Sequence, residues 1–125
     1  MPVSTLFTLA PTRAPGAAHE YSNANYQLLG LIIEAASGEP YTDYVQNHIF
    51  RPLAMRHSYT TTDAAKGDGL AVRHRCWFGL PFAAPNMPIP RGALAGGGLI
   101  SCAEDMARYL IAHLNGGCYG EAQIV

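Results

Sequence analysis

Residues 15–53 read PGAAHEYSNANYQLLGLIIEAASGEPYTDYVQNHIFRPL, and this stretch decides the fold. From about Asn25 to Ser37 the apolar residues Leu28, Leu29, Leu31, Ile32, Ile33, Ala35 and Ala36 cover most of a helical circumference. That pattern predicts a deeply buried helix. Gly38 is placed to stop it, with Pro40 beyond. A second helix is predicted from Thr42, a good N-cap, with Asp43 favourable at the positive end. Tyr41, Tyr44, Val45, His48 and Ile49 share one face of it, and Pro52 ends it.

Working outward, residues 1–20 carry Pro2, Pro11, Pro15 and Gly16 and read as loop. Residues 53–69 read as irregular. Leu70 to Leu80 hold a short strand or two, because Leu70, Val72, Cys76 and Phe78 fall at even spacing. Pro81, Pro85, Pro88 and Pro90 predict extended loop. Gly96-Gly97-Gly98 then leads into a third helix. Ser101 and Glu104 form a capping box, Met106, Leu110 and Leu114 stack at i+4 spacing, and Gly116-Gly117 stops the helix. The chain divides into a loop segment (1–20), the Tyr-x-Asn stretch with two helices (21–55), an irregular region with short strands (56–94), a glycine-rich turn and helix (95–117) and a short final element (118–125). With 19 alanines against 4 valines, local preference also tilts toward helix. The expected class is mainly α with a few short strands (α+β), in a single, incomplete domain.

Composition excludes several functions. Lys+Arg number 8 and Asp+Glu 9, a net charge of −1, so the basic excess of a nucleic-acid or anionic-membrane footprint is missing. No apolar run approaches the roughly 18 residues of a membrane span. Residues 3–10 lack a basic leader, so no signal peptide is predicted within the chain, and localisation stays open. Cys76, Cys102 and Cys118 cannot all pair. His19, His48, His57, His74 and His113 show no metal-ligand spacing, and His74-x-Cys76 falls short of the four ligands of a structural zinc site. Neither a metal nor a cofactor is implied. Only 14% of residues are charged and Lys66 is the sole lysine. A surface so poor in charge predicts that part of it faces other protein. The apolar end Gln123-Ile124-Val125 points the same way, to a piece of a longer chain.

Tyr21-Ser22-Asn23 is the candidate constellation for chemistry. It precedes a rigid helix, so a phenol and a carboxamide two residues apart can point into one cleft. A phenol ionises near pH ~10 and serves as a base only beside a stabilising cation. A carboxamide both donates and accepts, and can orient a substrate carbonyl. Taken alone, the tripeptide reads first as a turn with an asparagine N-cap. Cys102 at a helix start reads as reactive or as a small buried residue. Gly96–Gly98 reads as an anion cradle or as close backbone packing beside a cleft. Trp77, Phe78 and Phe82 read as pocket lining or as core.

The ordered pattern from Pro15 to Leu53 resembles the serine β-lactamase-like family of class C β-lactamases, penicillin-binding proteins and related esterases. A second block, Ala95-Gly96-Gly97-Gly98-Leu99-Ile100-Ser101 followed by Asp105-Met106-Ala107-Arg108-Tyr109, resembles the family's glycine-rich approach to a helix. The resemblance implies the central, helical part of that α/β fold, with the main sheet largely absent. It implies acyl transfer through a serine, with Tyr21 moving protons and Asn23 orienting substrate, and Ser22 structural. The substrate implied is a small acyl compound: a β-lactam, an ester or a D-alanyl peptide. A periplasmic or secreted location is usual for the family.

The family's Ser-x-x-Lys and Lys-Thr-Gly motifs do not occur in these 125 residues. Three residues before Lys66 stands Asp63. The isolated chain is therefore expected to be inactive, with missing segments or a partner chain supplying the serine and lysine. The rival reading is a non-catalytic binding or interaction module derived from the same scaffold. It predicts a closed polar surface, whereas the hydrolase reading predicts an exposed apolar face.

Overall fold

The computed structural model describes residues 13–84 and 94–124. The readings placed on Pro2, Pro11, residues 3–10, Pro85, Pro88, Pro90 and Val125 lie outside them. Helix α1 spans Asn23–Ser37, with Ser22 extended at its N-cap and Gly38 closing it at φ 74°. Gly38 sends its N–H back to the Glu34 carbonyl at 2.9 Å, a left-handed cap that a side chain adopts only at a cost. Helix α2 spans Tyr41–Val45 and continues as one π-helical turn, Gln46–Phe50. Helix α3 spans Thr62–Ala65 and runs into a 3₁₀ turn, Lys66–Asp68. Strands β1 (His74–Trp77) and β2 (Leu80–Ala83) form an antiparallel hairpin. Helix α4 spans Ala103–Leu114, and a second small hairpin, β3 (Cys118–Tyr119) with β4 (Ala122–Gln123), follows it.

The core forms around the second helix. Val45, Phe50, Leu53, Met55 and Ala112 are buried together, with Tyr41, Ile49, Tyr109, Tyr119 and Ile124 packed against them. Pro52 explains the π-helical turn. It has no N–H for the carbonyl four residues back and its ring crowds that position. The chain responds with an i→i+5 bond, Arg51 N–H to Gln46 C=O at 3.0 Å, and Met55 repeats the spacing onto Phe50 at 2.8 Å. Residues 59 and 100 pair as an isolated antiparallel bridge, with N–H···O bonds of 2.8 and 2.9 Å.

Four expectations need correction. Helix α1 is not deeply buried: Gly30 is its only buried residue, while Leu29 and Ile32 are each 53% exposed. One side of the helix meets α2 and Ala95, while Leu28, Leu29 and Ile32 stay exposed among the described residues. Thr42 does not cap α2. That helix starts at Tyr41, whose N–H is taken by the Glu34 carboxylate of α1 at 2.8 Å, and the Thr42 hydroxyl turns to Asp43. The Ser101–Glu104 capping box does not form. Cys102 holds the N-cap position of α4, Ser101 meets Ser58, and Glu104 pairs with Arg108. Long-range partners outcompete the local box. Finally, Pro81, read as loop, lies in β2, Leu70 and Val72 precede the first strand, and Phe78 belongs to no strand. It occupies the two-residue turn of the β1–β2 hairpin at φ 48°, beside Gly79 at φ 79°.

Candidate active site

Tyr21 and Asn23 stand at the N-terminal end of α1. The Tyr21 hydroxyl donates to Asn23 Oδ1 at 2.9 Å, and the ring is 68% exposed. The Tyr26 ring, one turn on, lies tilted against it with centroids 6.2 Å apart. Extended backbone at Ser22 (φ −147°, ψ 122°) puts the phenol and the carboxamide side by side; Ser22 itself makes no side-chain cap bond. With Asn23 Oδ1 occupied, its amide N–H groups are the end left to donate, while the phenol oxygen can still accept.

α1 is positioned by close backbone packing two turns further on. A Cβ at Gly30 would lie 2.7 Å from Ala95 Cβ, so the glycine lets the glycine-rich segment approach the helix directly. That segment turns at once: Gly97 and Gly98 both donate to the Leu94 carbonyl, at 3.3 and 2.9 Å. Close packing is thus the use the structure makes of it.

A second polar cluster escaped the sequence reading as a cluster. Asp105 on α4 is fully buried. Its Oδ2 accepts from the His57 backbone N–H at 2.7 Å and from the Ser58 hydroxyl at 2.8 Å; its Oδ1 accepts from Arg108 at 3.0 Å. Because the Ser58 proton is committed to Asp105, the Ser101 hydroxyl, 2.8 Å away, donates to Ser58. Arg108 also donates to Glu104 and to the carbonyl of Ala54, a residue held in the left-handed region at φ 53°. Three charge-assisted bonds offset the desolvation of one carboxylate. The Asp105–Arg108 spacing of i, i+3 was visible in the sequence, but it describes a surface pair as well as a buried one.

Other candidates are placed as follows. Cys102 is half-buried at the start of α4, and Cys76 is exposed. Trp77, Phe78 and Phe82 are exposed on the hairpin, so they are not core. His74 bonds to the Val72 carbonyl. Among the described residues no group of three or more His, Cys, Asp or Glu side chains could hold a metal ion, and no helix is long and apolar enough to cross a membrane.

The family described as Beta-lactamase matches residues 2–125, and the chain belongs to that family. It is 30% identical to an Escherichia coli (strain K12) protein named as a D-alanyl-D-alanine carboxypeptidase, over 88% of this chain and 30% of that protein. It is 32% identical to the penicillin-binding protein PbpX of Bacillus subtilis (strain 168), over 87% of this chain and 27% of that protein. Among solved structures, the octameric penicillin-binding protein homologue from Pyrococcus abyssi superposes with a TM-score of 0.75 at 33% identity, covering 91% of this chain and 24% of that one. The D-amino acid amidase from Ochrobactrum anthropi SV3, in complex with L-phenylalanine amide, superposes with a TM-score of 0.72 at 27% identity, covering 88% and 33%. The chain therefore spans about a third or less of the length of these relatives.

Proposed function

We propose that this chain is the tyrosine-and-asparagine portion of a serine hydrolase that cleaves a small amide, lactam or ester through an acyl-enzyme. Tyr21 is the proton-transfer group and Asn23 orients the substrate carbonyl. The observation that carries the reading is the exposed Tyr21 hydroxyl bonded to Asn23 Oδ1 at 2.9 Å on the first turn of α1. The phenol can pass a proton between the attacking serine and the leaving group. The Asn23 amide holds the carbonyl being attacked. The serine and its lysine come from polypeptide outside these 125 residues, which contain no Ser-x-x-Lys. A D-alanyl peptide bond or a D-amino acid amide is the substrate class we infer, and the names of the carboxypeptidase and amidase relatives support it.

The apolar face of α1 supports this reading over a closed binding module. Such a module would cover Leu28, Leu29 and Ile32, which are 42%, 53% and 53% exposed. In our reading that face packs against the remainder of the fold, or against a partner chain that carries it.

The test has two arms. The purified 125-residue chain turns over neither a chromogenic cephalosporin nor a nitrophenyl ester; turnover above background overturns the reading. In a protein that joins these residues to a Ser-x-x-Lys segment, Tyr21→Phe lowers kcat by about 10²- to 10⁴-fold with an unchanged melting temperature. A Tyr21→Phe variant with wild-type kcat removes the tyrosine from the mechanism.

A further inference from the structure

Segment 57–59 runs between two carboxylates on opposite sides. Inside, Asp105 of α4 holds the His57 N–H and the Ser58 hydroxyl. Outside, one oxygen of Asp68, Oδ2, takes both neighbouring side chains: His57 Nδ1 at 2.5 Å and the Tyr59 hydroxyl at 2.6 Å. Asp68 closes the helical excursion formed by α3 and its 3₁₀ turn. The excursion's other described side-chain bonds are local: Thr61 caps Ala64, and Lys66 pairs with Asp63. Asp68 is thus the polar tie between the excursion and the chain at Tyr59, which bridges to Ile100.

We propose that His57, Tyr59 and Asp68 form a pH-sensitive latch, which ties the 62–68 excursion to the Tyr59–Ile100 bridge in mildly acid solution and loosens as rising pH removes the imidazole proton. The geometry gives the reason. A protonated imidazole and a phenol on one carboxylate oxygen make two donors to one anion. Loss of the imidazolium charge leaves the phenol as the stronger tie.

The surrounding groups set the direction. The bond to Asp68 and its charge hold His57 above the ordinary histidine value of 6.5; Asp105 and Glu104 on α4 add to this, and partial desolvation opposes it. Arg108 engages both of those α4 carboxylates on their other side. Asp68 is held below 3.8 by the bonds from Tyr59 and His57. A raised histidine contributes fully below pH 6.5 and loses its contribution as pH rises through its folded value. A lowered aspartate contributes above 3.8 and loses its contribution in acid. The latch is therefore closed between those limits.

Amide hydrogen exchange of residues 62–68, corrected for intrinsic rates, tests this on the 125-residue chain between pH 5.5 and 9. Exchange accelerates about two- to fivefold across the His57 titration. His57→Gln makes the profile flat. Tyr59→Phe raises exchange at every pH and keeps the slope. A flat wild-type profile, or a slope unchanged in His57→Gln, overturns the latch. Should His57→Gln fail to fold, the ring resonances of His57 in the wild-type chain decide: a midpoint at or below 6.5 overturns it too.

Discussion

The second helix and the first spend similar apolar sequence in opposite ways. Around Leu53, apolar side chains from α2, its π-helical turn, the 53–55 segment and α4 close on one another, and the fully buried Asp105 pins that cluster to the chain at 57–58. Along α1, Leu28, Leu29 and Ile32 face solvent, and one glycine supplies the close contact. On the β1–β2 hairpin the contrast is stronger, since Trp77 and Phe78 are 68% and 93% exposed. The difference teaches that apolar content does not mark a core. A core needs surfaces closing on it from several sides, and α2 receives them from α4 and from the 53–55 segment, while α1 meets α2 and the glycine-rich turn along one side and leaves Leu28, Leu29 and Ile32 exposed.

That contrast can be broken most sharply at Asp105. Asp105→Ala strands the His57 backbone N–H, takes one acceptor from Ser58 and one of three from Arg108, and is expected to cost about 2–3 kcal/mol, a large share of a marginal chain's stability in a urea titration. A cost under about 1 kcal/mol would mean that the cluster does not hold α4 in place. At the boundary between the two regions, Gly30→Ala sets two effects against each other. Helix propensity gains about 1 kcal/mol, and the 2.7 Å approach to Ala95 costs about 1–3 kcal/mol. The net is a loss of about 1 kcal/mol, and Ala95→Gly in the same chain restores it. A double mutant no more stable than Gly30→Ala alone would place the strain elsewhere. The smallest effect belongs to the exposed face. Leu29→Ser and Ile32→Ser change the stability of the 125-residue chain by within about 0.5 kcal/mol and reduce its binding of an apolar-surface dye. In a protein that covers α1, the same substitutions cost about 2–5 kcal/mol. Equal costs in both settings would refute the proposed covering.

Much of this was legible in residue order. The α1 and α4 stops at Gly38 and Gly116-Gly117 are local matters, because a left-handed backbone angle is cheap only for glycine. The adjacency of Tyr21 and Asn23 was legible for the same reason: two residues of extended chain before a helix leave few geometries. Their proposed role rests on the family pattern and on polypeptide beyond these residues. The latch was not legible. His57 and Asp68 are eleven residues apart, across a short helix that the sequence describes only as irregular.

The sequence by itself determined where the two long helices lie and where glycine stops them, since these follow from φ/ψ preferences and the i→i+4 period. The tertiary structure decided which apolar face is buried, why Ser101 abandons its own helix for Ser58, and that one carboxylate of α4 lies in the interior. Burial and buried hydrogen bonds depend on surfaces that meet across dozens of residues, and periodicity along a single helix carries no record of what will be packed against it.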